Sequence, residues 1–239
     1  MNTDYKLYGL FVGLTVTIMV VCDTVMFKVF NIDGFKITAS GIIFSLFYLL
    51  STISTEVYGY KLGGRTVWIV VLCQTIYVFL INICAVIQVD SNELAKNYHA
   101  LFNDFWRVTV ATWISMPASY FCNSLLISKL KIYFSGRFFI VRYTLSAMTA
   151  QAVLLITDYP ISLSSKYGFQ ELINIIFTTW CYKVVMSIIL FPVGIYLVRK
   201  VKKIEKTDYY DWGISYNPLS VFKQSDDNVP RNNYMGDKK

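Results

Sequence analysis

The sequence predicts an all-α integral membrane protein, a bundle of six transmembrane helices with both termini on the cytoplasmic side. Three observations predict it. Six apolar segments fill most of the 239 residues, each near the ~20 helical residues that cross a ~30 Å hydrocarbon core. Only 15% of residues are charged, where a soluble domain carries about 25%. Basic residues collect in alternate connections, which sets a sense of insertion. The apolar runs are continuous rather than alternating, and this argues against a β-barrel.

The first segment, Leu7–Phe27, is longer than a signal-peptide core. It has only Lys6 as a basic residue ahead of it and no small-residue cleavage site after it, so it reads as a retained helix. Its Gly9-x-x-x-Gly13 spacing permits close helix approach, a weak sign of an interface. The remaining segments are Ile37–Ser54, Val67–Val89, Phe105–Ile127, Phe138–Thr157 and Leu172–Val198. Lys61 and Arg65 follow the second, and Lys129, Lys131 and Arg137 follow the fourth. Arg199, Lys200, Lys202, Lys203 and Lys206 end the sixth. The opposite connections are poorer in net positive charge. They hold Lys28 and Lys36, then Lys96 with Asp90, Glu93 and Asp104, then Lys166 with Asp158 and Glu171. The two sets place both termini inside.

Residues 1–206 therefore read as one transmembrane domain and 207–239 as a polar cytoplasmic tail, disordered beyond about Gln224. The net charge of +7 is accounted for by basic residues facing anionic headgroups and calls for no nucleic acid. The five cysteines (Cys22, Cys73, Cys84, Cys122 and Cys181) lie in apolar segments without metal-ligand spacing, and His99 stands alone in an outer loop. No metal or cofactor is implied. No Gly-rich phosphate loop, His-Glu-x-x-His or Gly-x-Ser-x-Gly occurs, so no enzyme chemistry is legible.

Function must then be read from what the helices keep polar at a cost. The ionisable candidates are Asp23, Glu56, Arg107, Arg142 and Lys183; the amides are Gln74, Asn82, Asn123 and Gln151. Each has a plain alternative. Arg107 and Glu56 lie near helix ends and can snorkel, and the amides can join helices by hydrogen bonds. As a set they point to a solvated central site. Tyr48, Tyr58, Trp113, Tyr120 and Trp180 accompany them, and aromatic faces stack on planar heterocycles. Tyr120 stands out, close before Asn123 in mid-segment.

Several stretches in order resemble the queuosine precursor transporter family, also called the vitamin uptake transporter family. They are Thr55-Glu56-Val57-Tyr58-Gly59, Arg65 to Trp68, Asn123 with Lys129, and Gly136 with Arg142, Ser146 and Gln151. The tail adds Asp208-Tyr209-Tyr210-Asp211 and Tyr216-Asn217-Pro218. The resemblance implies a six-helix protein of the bacterial inner membrane that imports 7-deazaguanine precursors of a tRNA nucleoside. Its partners would be that small molecule and the bilayer, with a homo-oligomer left open. On this reading Glu56, Tyr120, Asn123, Arg142, Gln151 and Asp23 bind substrate. Glu56 would accept the two N–H donors of a guanine-like edge, and Gln151, Asn123 or Arg142 would donate to its carbonyl. The chain departs from the family pattern at Thr52 and Leu154, where acidic residues are common, and at Asp23, where asparagine is frequent. The alternative is the substrate-binding membrane subunit of an energy-coupled vitamin transporter, which would need a partner ATPase because this chain has no Walker motif.

Overall fold

A computed structural model describes residues 5–32, 35–87, 93–102 and 105–222. α1 (Tyr8–Thr24) leads into an antiparallel hairpin of β1 (Val29–Ile32) and β2 (Phe35–Thr38). Val29 pairs with Thr38 and Ile32 with Phe35. That register leaves Asp33-Gly34 as the connection, a dipeptide that favours two-residue hairpins; those two residues lie outside the described ones. α2 (Ala39–Val86), the short α3 (Glu93–Phe102), α4 (Phe105–Tyr133), α5 (Phe139–Ser162) and α6 (Phe169–Glu205) follow, and a helical turn spans Pro218–Phe222. The hairpin corrects the expected second segment: Ile37 belongs to a strand, and the helix starts two residues later.

As one straight rod, the 48 residues of α2 would reach about 70 Å, over twice the hydrocarbon core. Gly59 prevents that. Its φ of 83° and ψ of 173° fall in a backbone region open essentially to glycine alone. The break yields two limbs, 39–58 and 60–86, that run in opposite directions beside α1. Phe11 of α1 packs on Tyr58, and Cys22 reaches the Ser40 carbonyl. Tyr8 bonds to the Leu62 carbonyl and Thr24 to Tyr77. Lys61 and Arg65, expected in a loop, are helical. A single glycine replaces the loop.

The helices thus run alternately between two ends of the bundle. One end carries the β-hairpin; the other carries the Gly59 break, the α4–α5 turn and the end of α6. α4 lies centrally, packed against α5 and the α2 limbs, with α1 on α2 and α6 on α2 and α5. Among the described residues, three helices are long and apolar enough to cross a membrane: Ala39–Ala85, Phe139–Ser162 and Phe169–Glu205. Large apolar side chains stay exposed along them, among them Leu72, Phe79, Leu80, Phe177 and Ile189. Buried positions include many serines, threonines and charged residues. Apolar outside and polar inside is the arrangement suited to lipid.

Part of the expected polar tail is structural. The Gly59 break deprives the next backbone N–H of a helical acceptor, and an unmet buried donor is costly. Asp211 supplies the acceptor, its two carboxylate oxygens lying 3.0 and 3.1 Å from the Tyr60 nitrogen. Further along, Trp68 Nε1 donates to the Pro218 carbonyl and Arg65 Nε to that of Val221, at 3.1 and 2.8 Å. Val221 is fully buried. Residues 223–239, which include the stretch beyond Gln224 where disorder was expected, lie outside the described residues.

Substitution Gly59→Ala should be strongly destabilising. The new Cβ would sit 2.9 Å from Asp211 Oδ1 at a positive φ, a strain of about 1–3 kcal/mol before the tail contact is lost. Gly13→Ala, with nothing within 4 Å of its added Cβ, is the control. Thermal unfolding in detergent should show a clearly lower Tm for Gly59→Ala and little change for Gly13→Ala.

Candidate functional site

Two polar centres lie inside the bundle, joined by a buried polar stripe. The stripe is clearest on α4, where Thr112, Ser115, Ser119 and Asn123 recur at three- and four-residue intervals and all are buried. That spacing puts them on one helix face. The facing helices answer in the same rhythm, with Tyr48, Ser51, Thr52 and Thr55 on α2, and Thr179, Lys183 and Ser187 on α6.

The centre nearer the β-hairpin is a cavity between α1, the start of α2, α4, α5 and α6. About 30 Å³ of it is accessible to water, room for a water molecule or two. Two carboxyl groups and one amine line it, those of Asp23, Asp158 and Lys183, each residue at most 9% exposed. Asp158 is held by two hydroxyls, Ser115 at 3.0 Å and Ser162 at 3.2 Å. Lys183 Nζ lies 4.5 Å from the centre of the Phe44 ring, a cation–π contact. Asp23 is different. Its Oδ2 is buried with no hydrogen-bond partner, and so is Oε1 of Gln74, whose side chain lies beside it and donates to Thr112 at 2.9 Å. Met19, Met26 and Met116 complete the wall with Phe44, adaptable apolar surface suited to a ring face.

Below the cavity the stripe holds the amides and the tyrosines. Tyr48 bonds to Ser119 and to the Ala150 carbonyl. Asn123 donates to Ser51 at 3.1 Å and Thr52 at 3.4 Å, leaving Oδ1 unpartnered. Gln151 donates to Ser187 at 2.8 Å, leaving Oε1 unpartnered. The Tyr120 hydroxyl lies near Ser51, Thr55 and Ser124 without a well-formed bond to any of them. Buried acceptors and hydroxyls with spare capacity suit a passage for a polar solute.

The second centre closes the opposite end. Arg142 grips Glu56 with two nitrogens, Nη1 at 2.6 Å and Nη2 at 3.3 Å. Lys202 reaches Glu56 Oε1 at 3.0 Å, and Lys131 stands 3.6 Å from it. Asp208 of the tail takes 2.7 Å contacts from both lysines. Lys131 also donates to the Glu56 and Tyr209 carbonyls and lies over the Tyr210 ring. Burial raises the pKa of the Tyr210 hydroxyl, with the Asp208 charge adding to the effect. Arg142 further binds the carbonyls of Arg137 and Gly136, fixing the turn into α5.

The six residues expected at one site are therefore distributed. Asp23 is in the cavity; Tyr120, Asn123 and Gln151 are in the stripe; Glu56 and Arg142 meet in the ion cluster. Both Glu56 oxygens are engaged by cations, so its expected pairing with a heterocycle would first have to displace them. Of the other aromatics, Trp113 is exposed and Tyr58 packs on Tyr5 and Tyr8. Three participants went unassigned in sequence. Asp158 was placed in an outer loop, yet α5 continues through it and Pro160 to Ser162. Lys131 was placed in an inner loop but is buried in the last turn of α4. Lys202 was read only as part of a basic run. The serine spacing on α4, which marks a polar buried face, was the available signal for Asp158.

The family model described as "Putative vitamin uptake transporter" matches residues 38–198, roughly two thirds of the chain. Searches of curated proteins and of solved structures return no match.

The ion cluster makes a definite prediction for Glu56→Gln. Removing one partner of a buried ion network leaves charges uncompensated and costs on the order of 3–5 kcal/mol. The variant should unfold at a markedly lower temperature and be depleted from membranes. Asp208→Asn should cost less, its carboxylate being 22% exposed. Differential scanning fluorimetry of the purified variants checks this; a Glu56→Gln protein as stable as wild type would return Glu56 to a ligand-binding role.

Proposed function

Since the chain belongs to the vitamin uptake transporter family, we propose that this multi-pass membrane protein is a secondary transporter importing a planar, nitrogen-rich metabolite, a queuosine precursor of the 7-deazaguanine type. All six helical passes (α1, both limbs of α2, α4, α5 and α6) cross the bilayer of a bacterial inner membrane. The end bearing the ion cluster faces the cytoplasm, as the basic residues there favour.

One observation carries this reading: a polar cavity within an apolar bundle, holding the carboxyl groups of Asp23 and Asp158 and the amine of Lys183, which form no close ion pair with one another among the described residues. Asp158 offers oxygens to the adjacent N–H donors of a guanine-like edge, and Lys183 a donor to its carbonyl. Asp23 and Gln74 flank the ring, and Phe44 and the methionines pack on its faces. Polar groups left unpaired in such a site cost about 1–3 kcal/mol each, which discriminates between heterocycles. A bicyclic base exceeds the present cavity, so loading requires the helices to part, the motion on which alternating access depends. Tyr120, Asn123 and Gln151 then receive the base on its way inward, and Glu56 with Arg142 forms the inner closure.

The test is uptake in a strain that cannot make queuosine and lacks its own importer. The wild-type chain should restore queuosine-modified tRNA at nanomolar precursor, and no rescue despite membrane expression would sink the proposal. Lys183→Met should reduce uptake by roughly tenfold to a hundredfold, the worth of one charge-assisted hydrogen bond, at an unchanged amount of protein in the membrane. Co-purification of an ATPase would assign the chain to an energy-coupled complex instead.

A further inference from the structure

We propose that Asp23 is a proton-binding site and that its proton travels inward with the substrate. The proposal rests on the transport reading above for its consequence, but on the geometry of the cavity for the site itself.

The groups around Asp23 come from every helix packed on the cavity. α1 contributes Cys22; α2 contributes Gln74 and Ser40; α4 contributes Thr112 and Ser115; α5 contributes Asp158 and Tyr159; α6 contributes Lys183. Only Lys183 among them is cationic. Two buried acids facing one buried ammonium are electrically balanced when one acid holds a proton, and unbalanced charge within a membrane protein is expensive.

Hydrogen bonding decides which acid it is. Asp158 accepts from Ser115 on Oδ1 at 3.0 Å, and the Ser162 hydroxyl, which also bonds to the Asp158 carbonyl at 2.9 Å, lies 3.2 Å from Oδ2. Asp23 Oδ2 has no donor although it is buried. The neighbouring Gln74 Oε1 is likewise an acceptor without a donor. A hydrogen added at Oδ2 removes that oxygen's need for a donor, and the side chain of Gln74, already hydrogen-bonded to Asp23, brings an acceptor without a donor into the same neighbourhood. The added species is a proton, taken from water without loss or gain of electrons, and it leaves Asp23 neutral. A cavity beside the carboxyl has room for a water molecule to exchange the proton with it. The neutral acid presents both an O–H donor and a C=O acceptor, so a heterocycle with mixed donors and acceptors binds the protonated form. Proton and substrate thereby share one loaded state.

Two measurements test this. The first needs no substrate. Infrared spectra of the protein in bilayers at neutral pH should contain the C=O stretch of a protonated carboxylic acid; Asp23→Glu, which keeps the charge count, should shift that band and Asp158→Glu should leave it in place. Absence of the band from wild type, or its shift in Asp158→Glu alone, overturns the proposal. The second uses proteoliposomes and labelled 7-deazaguanine as the probe. With one proton per substrate, a gradient of one pH unit, alkaline inside, raises the steady-state ratio by up to about tenfold, and Asp23→Asn should not respond to it. That ratio is an equilibrium quantity, so a slower variant does not mimic the result. Wild-type accumulation indifferent to the gradient overturns the coupling. If wild type moves no probe at all, the transport reading falls, and the infrared band alone decides whether Asp23 holds the proton.

Discussion

Most of this structure depends on one carboxylate. Glu56 is 2% exposed and holds together α2, α4, α5 and α6 through Lys131, Arg142 and Lys202. Lipid supplies no hydrophobic force to press helices against one another, so polar contacts and close packing must do so. Desolvating charges is costly, and the cost is offset only where every charge meets partners of good geometry. Here Arg142 binds through two nitrogens, and Lys131 finds two carbonyls besides its carboxylates. The cluster accordingly fixes the register of four helices at one end and leaves the other end free to enclose a cavity.

Much of the helical architecture was legible, because an apolar run in lipid has only one way to satisfy its backbone. The details that escaped have specific causes. The β-hairpin alternates over Val29–Thr38 but is short, and its apolar residues merge with the helix that follows. The Asp-Gly pair was its one distinct mark. The break in α2 hung on a single glycine, and the neighbouring lysine and arginine gave it the look of a loop. α5 outran its expected end because Pro160, which forfeits one backbone bond, lies only two residues before the helix stops. The boundary moved by five residues, and that shift carries Asp158 from a loop into the cavity.

The candidate site was legible in kind more than in place. Costly intramembrane polar residues were recognised one by one, and all six proposed residues are buried. Their partners were not visible, since Glu56 and Arg142 are 86 positions apart and nothing local announces that they meet. Pairing turned Glu56 from a free acceptor into an occupied one. The same lack of pairing information hid why Asp23 differs from Asp158: the serines that bond to Asp158 come one from another helix and one from the next turn. Periodicity along a helix can be read from sequence, whereas which faces meet depends on the assembled bundle.

The docked tail has a consequence for the order in which the molecule can be completed. Glu56 and Lys202 are separated by 146 positions, and Tyr60 and Asp211 by 151. During synthesis, the first limbs of the bundle are therefore made and inserted while Glu56 still lacks a lysine and Tyr60 still lacks its acceptor. Those needs are met only after α6 has been threaded and the following segment has folded back. The segment that follows α6 thus reports on the whole: a bundle with a misplaced sixth helix cannot present Lys202 and Asp208 to the same spot. Its open, charged end would then be left exposed to the proteases that clear misassembled membrane proteins.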